Sequence, residues 1–279
     1  MQDFVHLHVH TQYSLLDGQA SVSRLVDKAM KDGMKGIAVT DHGNMFGIKE
    51  FTNYVNKKNS GPKGEIKDLK KRIAGIESGE IECEDKEAEI ADCRAKMAEA
   101  ESKLFKPIVG CEMYVARRTM DKEGKPDQSG YHLIVLAKNE KGYHNLIKLV
   151  SHAWTRGYYM RPRTDRSELE KYHEGLIVCS ACIGGEVPKK IINDQLEEAE
   201  EAVRWYKNLF GDDYYLELQR HKATVPRANH EAYPLQQKAN AKLLELARKY
   251  DIKVICSNDV HFVDEENAEA HDRLICLST

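Results

Sequence analysis

Seven short runs rich in β-branched and apolar residues alternate with helical patterns along the chain: Phe4–His8, Gly36–Thr40, Pro107–Val115, His132–Ala137, Leu176–Ser180, Tyr214–Leu218 and Lys253–Ser257. Alternation of this kind predicts a parallel sheet, because each return to a parallel strand needs a crossover about as long as a helix. Seven such strands in 279 residues predict one α/β barrel, closed or nearly closed, although two ordinary domains would fit the length as well. The intervening helices carry their own signals. Ser21 precedes a stretch bearing Leu25, Val26, Ala29 and Met30, and Gly33 follows it, which marks a capped helix. Further helices are predicted over about 143–155, 186–210 and 235–250.

One segment breaks the rhythm. From Lys63 to Lys103 the composition is dominated by Glu, Lys, Asp and Ala. Ile66, Leu69, Ile73 and Ile76 are spaced 3-4-3; after Gly79 come Ile90, Cys93, Met97, Ala100 and Leu104, spaced 3-4-3-4. Narrow apolar seams at that spacing predict two packed helices rather than disorder. The domain reading is therefore one discontinuous barrel over 1–62 and 105–279, with a helical hairpin over 63–104 inserted between the second and third strands.

The ends of the strands carry the chemistry. In order they offer His8 and His10, His42, Glu112, Cys182 with Cys179 nearby, and Asp259 with His261. Imidazole, carboxylate and thiolate together suit zinc, manganese or iron, and the C-terminal edge of a parallel barrel is where ligands from separate strands converge. Spacing leaves details open. His6, His8 and His10 share one face by period-2 alternation, so the pair nearest the strand end is preferred and His6 would lie deeper. Asp17 reads equally as a turn residue before Gly18. His132 begins its run, which an ideal barrel does not predict.

Bulk properties confine the rest. A formal charge of −3 excludes the uniformly basic surface of an independent nucleic-acid binder, so any polyanion site must be local or metal-assisted. One such patch is a loop where Arg156, Arg161, Arg163 and Arg166 surround Tyr158 and Tyr159; Arg220 and His221, at the end of the sixth strand, are further substrate candidates beside Arg163. Seven cysteines without framework spacing, no signal-like start and no apolar run near the roughly 20 residues of a membrane span predict a cytoplasmic protein with reduced thiols and no membrane partner.

The strings Phe4-Val5-His6-Leu7-His8-Val9-His10-Thr11, Tyr13-Ser14-Leu15-Leu16-Asp17-Gly18 and Thr40-Asp41-His42-Gly43-Asn44-Met45-Phe46-Gly47 resemble the PHP (polymerase and histidinol phosphatase) domains of bacterial replicative DNA polymerase III alpha subunits. Gly110-Cys111-Glu112, His132-Leu133, Cys182 with Gly184-Gly185-Glu186-Val187, and Asn258-Asp259-Val260-His261-Phe262 extend the resemblance over nearly the whole chain apart from the charged insert. It implies a distorted seven-stranded (β/α)7 TIM-like barrel holding two or three divalent metals. Carried over by position, one ion falls on His8, His10, Glu112 and Asp259, a second on bridging Glu112 with His132 and Cys182, and a third on Asp17, His42 and His261. Cys179 becomes a core residue.

The implied chemistry is phosphoester hydrolysis or 3′–5′ exonuclease action, by a metal-activated water held by Glu112, Asp259 and His261. The implied partners are DNA through a parent polymerase, the remaining polymerase domains and replisome subunits. Polymerisation itself is not expected of this chain, which shows no palm domain with paired catalytic aspartates. Two other readings fit the same residues: a metal-stabilised scaffold without turnover, and a small-molecule phosphatase of the histidinol-phosphatase type. The YSLLDG and TDHGNMFG strings favour the polymerase relatives over the latter.

Overall fold

The computed structural model describes residues 4–223 and 232–277. In chain order the elements are α1 (Val22–Lys31), β1 (Gly36–Val39), α2 (Ile48–Lys58), α3 (Ser60–Ser78), α4 (Lys86–Ser102), β2 (Lys106–Val115), β3 (Tyr131–Ala137), α5 (Glu140–Thr155), β4 (Tyr158–Tyr159), β5 (Arg161–Thr164), α6 (Arg166–Tyr172), β6 (Leu176–Cys179), α7 (Glu186–Ile192), α8 (Leu196–Phe210), β7 (Tyr214–Gln219), α9 (Ala232–Tyr250), β8 (Lys253–Ser257) and α10 (Ala268–Ile275). The strands form one curled, open sheet in the order β4-β5-β2-β3-β6-β7-β8, with β1 also paired to the long strand β2.

The sheet is mixed, which corrects the parallel expectation. β3 runs antiparallel to both β2 and β6, while β1–β2, β6–β7 and β7–β8 are parallel. The cause lies in the connection between β2 and β3, which holds only one short 3₁₀ turn, Lys125–Asp127, and no crossover helix, so the chain folds straight back. His132 thereby starts a strand at the edge of the sheet where its neighbours end.

The first predicted strand, Phe4–His8, is likewise not a regular strand. Its continuation bonds to elements on both sides: the Thr40 amide donates to the Val9 carbonyl at 2.9 Å, and the His10 amide to the Val260 carbonyl at 2.7 Å. Without a regular pleat, His6 does not share the face of His8 and His10. Instead it lines a cavity beside Leu25, Lys28 and Asp32. The predicted helix over 186–210 breaks into α7 and α8 at Asp194, whose φ is +59°.

Helices α5, α7, α8 and α9 cover the sheet through Leu146, Leu149, Val187, Val203 and Leu243, packed on Leu133, Val135, Val178 and Leu216. Inside the curl Ala38, Ile134, Leu136, Cys179 and Ala181 form a separate buried cluster, so Cys179 is a core residue. None of the seven cysteines is in a disulfide. No helix among the described residues is long and apolar enough to cross a membrane.

The charged segment folds as α3 packed on α4, with every predicted seam position buried or half-buried. Asp85 caps α4 by accepting from the Ala88 amide at 3.0 Å. At the base of the pair the buried Asn59 side chain accepts from the Phe105 amide at 2.9 Å and donates to its carbonyl at 2.8 Å.

Candidate metal centre

Glu112 sits within β2 with its side chain 1 % exposed, and imidazoles from three other segments surround it. Oε1 lies 2.7 Å from His132 Nδ1 and 3.5 Å from His8 Nε2; Oε2 lies 2.7 Å from His42 Nδ1 and 3.2 Å from His10 Nε2. Asp259 Oδ1 approaches His8 Nε2 at 3.0 Å and His10 Nε2 at 3.2 Å. On the outer side Asp17 Oδ2 meets His42 Nε2 at 2.7 Å and His261 Nε2 at 3.1 Å. Cys182 Sγ stands 3.5 Å from His132 Nδ1 and 3.9 Å from Glu112 Oε1. All nine residues expected at the site converge in one cluster.

Backbone geometry explains the convergence. The Glu112 amide donates to the Thr40 and Asp41 carbonyls and the Gly43 amide returns to the Glu112 carbonyl, which fastens the end of β1 to the middle of β2. Gly43 is required there: its φ is +61°, and a Cβ would stand 2.6 Å from Pro162 Cγ. Asp259 is a non-glycine residue at φ +50°, a conformation that costs free energy and concentrates at functional sites.

A second layer fixes which nitrogen of each ring faces inward. His261 Nδ1 lies 2.8 Å from the Asp259 carbonyl, which can only accept, so Nδ1 carries a proton and Nε2 is the nitrogen left to share a cation with Asp17. Ser14 gives its hydroxyl proton to Asp41 Oδ1 at 2.7 Å, so its oxygen accepts from His10 Nδ1 at 2.9 Å. His8 Nδ1 donates to the fully buried Glu217 carboxylate at 2.8 Å. Glu217 in turn accepts from Gln219 Nε2 at 3.2 Å and from the Ser257 hydroxyl. Three rings are thus held in the tautomer that points Nε2 into the cluster, the arrangement a cation-binding histidine needs.

Four of the inward atoms have no hydrogen bond of their own. His8 Nε2, His10 Nε2, His42 Nδ1 and Glu112 Oε2 are all buried without a hydrogen-bond partner. Buried polar atoms left this way are costly unless a cation completes them. His8, His10 and Glu112 form one group of donor atoms within 4.8 Å of one another, His42, Glu112 and His132 a second, and His10, His42 and His261 a third. The donor set therefore fits divalent cations.

The electrostatics agree. Burial pushes His42 down, yet Glu112 and Asp17 outweigh it and hold the ring's pKa up to about 10. His8 is likewise raised despite complete burial, by Asp259, Glu217 and Glu112. Glu112 and Asp259 lie below the usual carboxylate range, the surrounding imidazoles overcoming burial. Burial, reinforced by Glu112 and Asp259, pushes the Cys182 thiol well up, so it becomes a thiolate only beside a cation. The cluster is thus a site of negative potential that takes up protons when no metal competes.

The substrate candidates fare differently. Arg163 is corrected: it is 1 % exposed and its guanidinium donates to the carbonyls of Gly157, Met120, Lys122 and Asp127, leaving it no reach toward a substrate. His221 has both ring nitrogens engaged, Nε2 with the Asn258 carbonyl at 2.8 Å and Nδ1 with Gln236 at 2.9 Å. Arg220 is exposed and reaches the Tyr233 hydroxyl at 3.4 Å. Arg166 pairs with Glu186 and lies over Trp205.

Sequence reasoning missed Asp41, Glu217 and His271. Asp41 stood inside a motif already read for its histidine, and Glu217 and Gln219 alternate along β7 on the face turned toward the cluster. His271 of α10 places Nε2 3.9 Å from Asp17 Oδ1.

A PHP domain family model matches residues 6–221. The chain belongs to the PHP domain family. Curated relatives named DNA polymerase III subunit alpha include that of Borreliella burgdorferi, 39% identical over 99% of this chain and 19% of its own length, and that of Aquifex aeolicus, 36% identical over 99% of this chain and 20% of its own. This PHP chain therefore spans about a fifth of those relatives. A solved structure from Bifidobacterium adolescentis, provisionally described as a metal-dependent phosphoesterase, is 15% identical with a TM-score of 0.45, covering 99% of this chain and 96% of that one.

Proposed function

We propose that the cluster binds two or three divalent ions, zinc, manganese or iron, and that the chain hydrolyses phosphoesters, acting as a 3′–5′ exonuclease within a cytoplasmic replicase of the DNA polymerase III type. One observation carries the reading. The single buried carboxylate of Glu112 is shared by four imidazoles, three rings of the cluster are locked in the metal-binding tautomer, and His8 Nε2, His10 Nε2, His42 Nδ1 and Glu112 Oε2 are buried without a hydrogen bond.

His8, His10, Glu112 and Asp259 would hold one ion, Glu112, His132 and Cys182 a second, and Asp17, His42 and His261 a third. Bound divalent ions supply an acidified water and charge stabilisation at a phosphate. The chain's part is to orient and to exclude. Glu217, Asp41 with Ser14, and the Asp259 carbonyl fix the rings. Burial of Glu112 keeps water from competing for its oxygens. His42, His132 and Cys182 are half-buried, so the cluster opens to solvent on their side.

The test is hydrolysis of a 3′-labelled oligonucleotide by the purified chain with manganese or zinc. Asp259→Asn removes an anionic ligand and should bring the rate to background. Equal residual rates in wild type and variant would assign the activity to a contaminant and leave the metals, if bound, as scaffold.

A further inference from the structure

Beside the metal centre the surface carries a row of aromatic rings that packing does not explain. Phe46, Trp154 and Tyr158 are 56, 40 and 54% exposed. They form a continuous ledge: Trp154 lies 5.5 Å from Tyr158 with planes 23° apart, and 5.8 Å from Phe46. The ledge is fastened to the site, because Trp154 Nε1 donates at 2.8 Å to the carbonyl of Gly43, the residue after His42. Its far end is the β4–β5 hairpin, where Met160 turns the chain at φ +62° and is 63% exposed. The next residue, Arg161, sets its guanidinium over the Tyr114 ring at 5.7 Å, and Tyr114 stacks on His42 at 5.9 Å. Stacked rings, a guanidinium and the proposed metal centre are thus contiguous.

We propose that this ledge is the stacking subsite for the unpaired bases of a single-stranded nucleic acid whose terminal phosphodiester enters the metal centre. Flat exposed rings next to a cation offer each base a π-face and each phosphate a charge, the combination that holds single strands without reading sequence. Aromatic rings and arginine also serve protein interfaces; what favours a strand here is that the row leads, through Arg161 over Tyr114 and Tyr114 on His42, into the proposed metal centre, where a phosphodiester would be held. The proposal deepens the phosphoesterase reading and rests on it for the strand's direction, not for binding itself.

The experiment is equilibrium binding of an octamer of dT, and of an eight-unit abasic strand with the same phosphates, to the purified chain. The dT strand should bind at least about 5-fold more tightly. Tyr158→Ala and Phe46→Ala should each weaken dT binding by about 5-fold or more and leave abasic binding, bound metal and melting temperature unchanged; Trp154→Phe, which keeps a ring, should retain most of it. Equal affinity for the two strands, or unchanged dT binding in both alanine variants, overturns the ledge even if the chain hydrolyses 3′ ends. Base-dependent binding lost in the variants without any hydrolysis upholds the ledge and removes the phosphoesterase reading instead.

Discussion

The metal centre and the α3–α4 hairpin use the same charged residue types to opposite ends. In the hairpin, Lys96–Asp92, Lys103–Glu99 and Arg72–Glu89 pair on the surface, each partner also served by water, and the helices meet through the few buried groups Ile66, Ile76, Cys93 and Ala100. In the centre, Glu112 and Asp259 are withdrawn among imidazoles, and His8 Nε2, His10 Nε2 and His42 Nδ1 are buried there without a hydrogen bond. Exposed pairs contribute little because solvent screens them; buried charges must be completed, and what completes them is the function. Composition alone ranks the two regions the wrong way, since the hairpin is far richer in charge.

The largest break in this contrast should come from Glu112→Gln. Both of its oxygens face imidazoles, so loss of the charge should lower metal affinity by more than the roughly 10–100-fold typical of outer-layer losses, and hydrolysis should fall to background. Competition titration with a chromogenic chelator measures it; wild-type affinity would mean the carboxylate is structural. Glu217→Gln is the graded version. It keeps an acceptor for His8 but removes the buried charge, and a loss of about 10–100-fold in metal affinity is expected with the fold retained. An unchanged affinity would reduce Glu217 to a packing residue.

Acidity gives a third, smaller effect. With no metal, protonated His42 between Glu112 and Asp17 stabilises the fold fully below its ordinary value near 6.5, and that contribution is lost as pH rises toward about 10. Divalent ions need the neutral rings, so their binding strengthens over the same interval. The gap in melting temperature between metal-loaded and metal-stripped protein should therefore widen from pH 6 to 9. A gap that narrows would reverse the assigned signs. The smallest effect belongs to the hairpin: Arg72→Ala should shift the melting temperature by about 2 °C or less and leave bound metal unchanged, because the Glu89 pair is exposed.

How much was legible follows the range of the interactions. The seam of the hairpin is a local periodicity, and Ile66, Ile76, Cys93 and Ala100 lie buried as their spacing requires. His42 and Asp259 stand just beyond β1 and β8, and His8 precedes Val9, which bridges to Val260, so their convergence could be read before any topology was known. The direction of β3 could not, because it depends on a connection without a helix; His132 looked misplaced until that strand was reversed. Glu217 was invisible for a further reason. Its contact with His8 spans 209 residues and depends on the register that sets Gln219 of β7 opposite Ser257 of β8. Arg163 misled because an arginine in a tyrosine-rich loop looks like a phosphate contact, whereas its donors close four backbone carbonyls.

The central claim is that nine side chains form one multi-metal centre, and elemental analysis of the purified chain tests it most directly. After dialysis against manganese or zinc, wild type should carry two or three ions, Glu112→Gln should lose most of them, and a chain with 63–103 replaced by a short Gly-Ser bridge should keep the wild-type number. Fewer than one ion per chain in wild type, or a count that Glu112→Gln does not change, would contradict it.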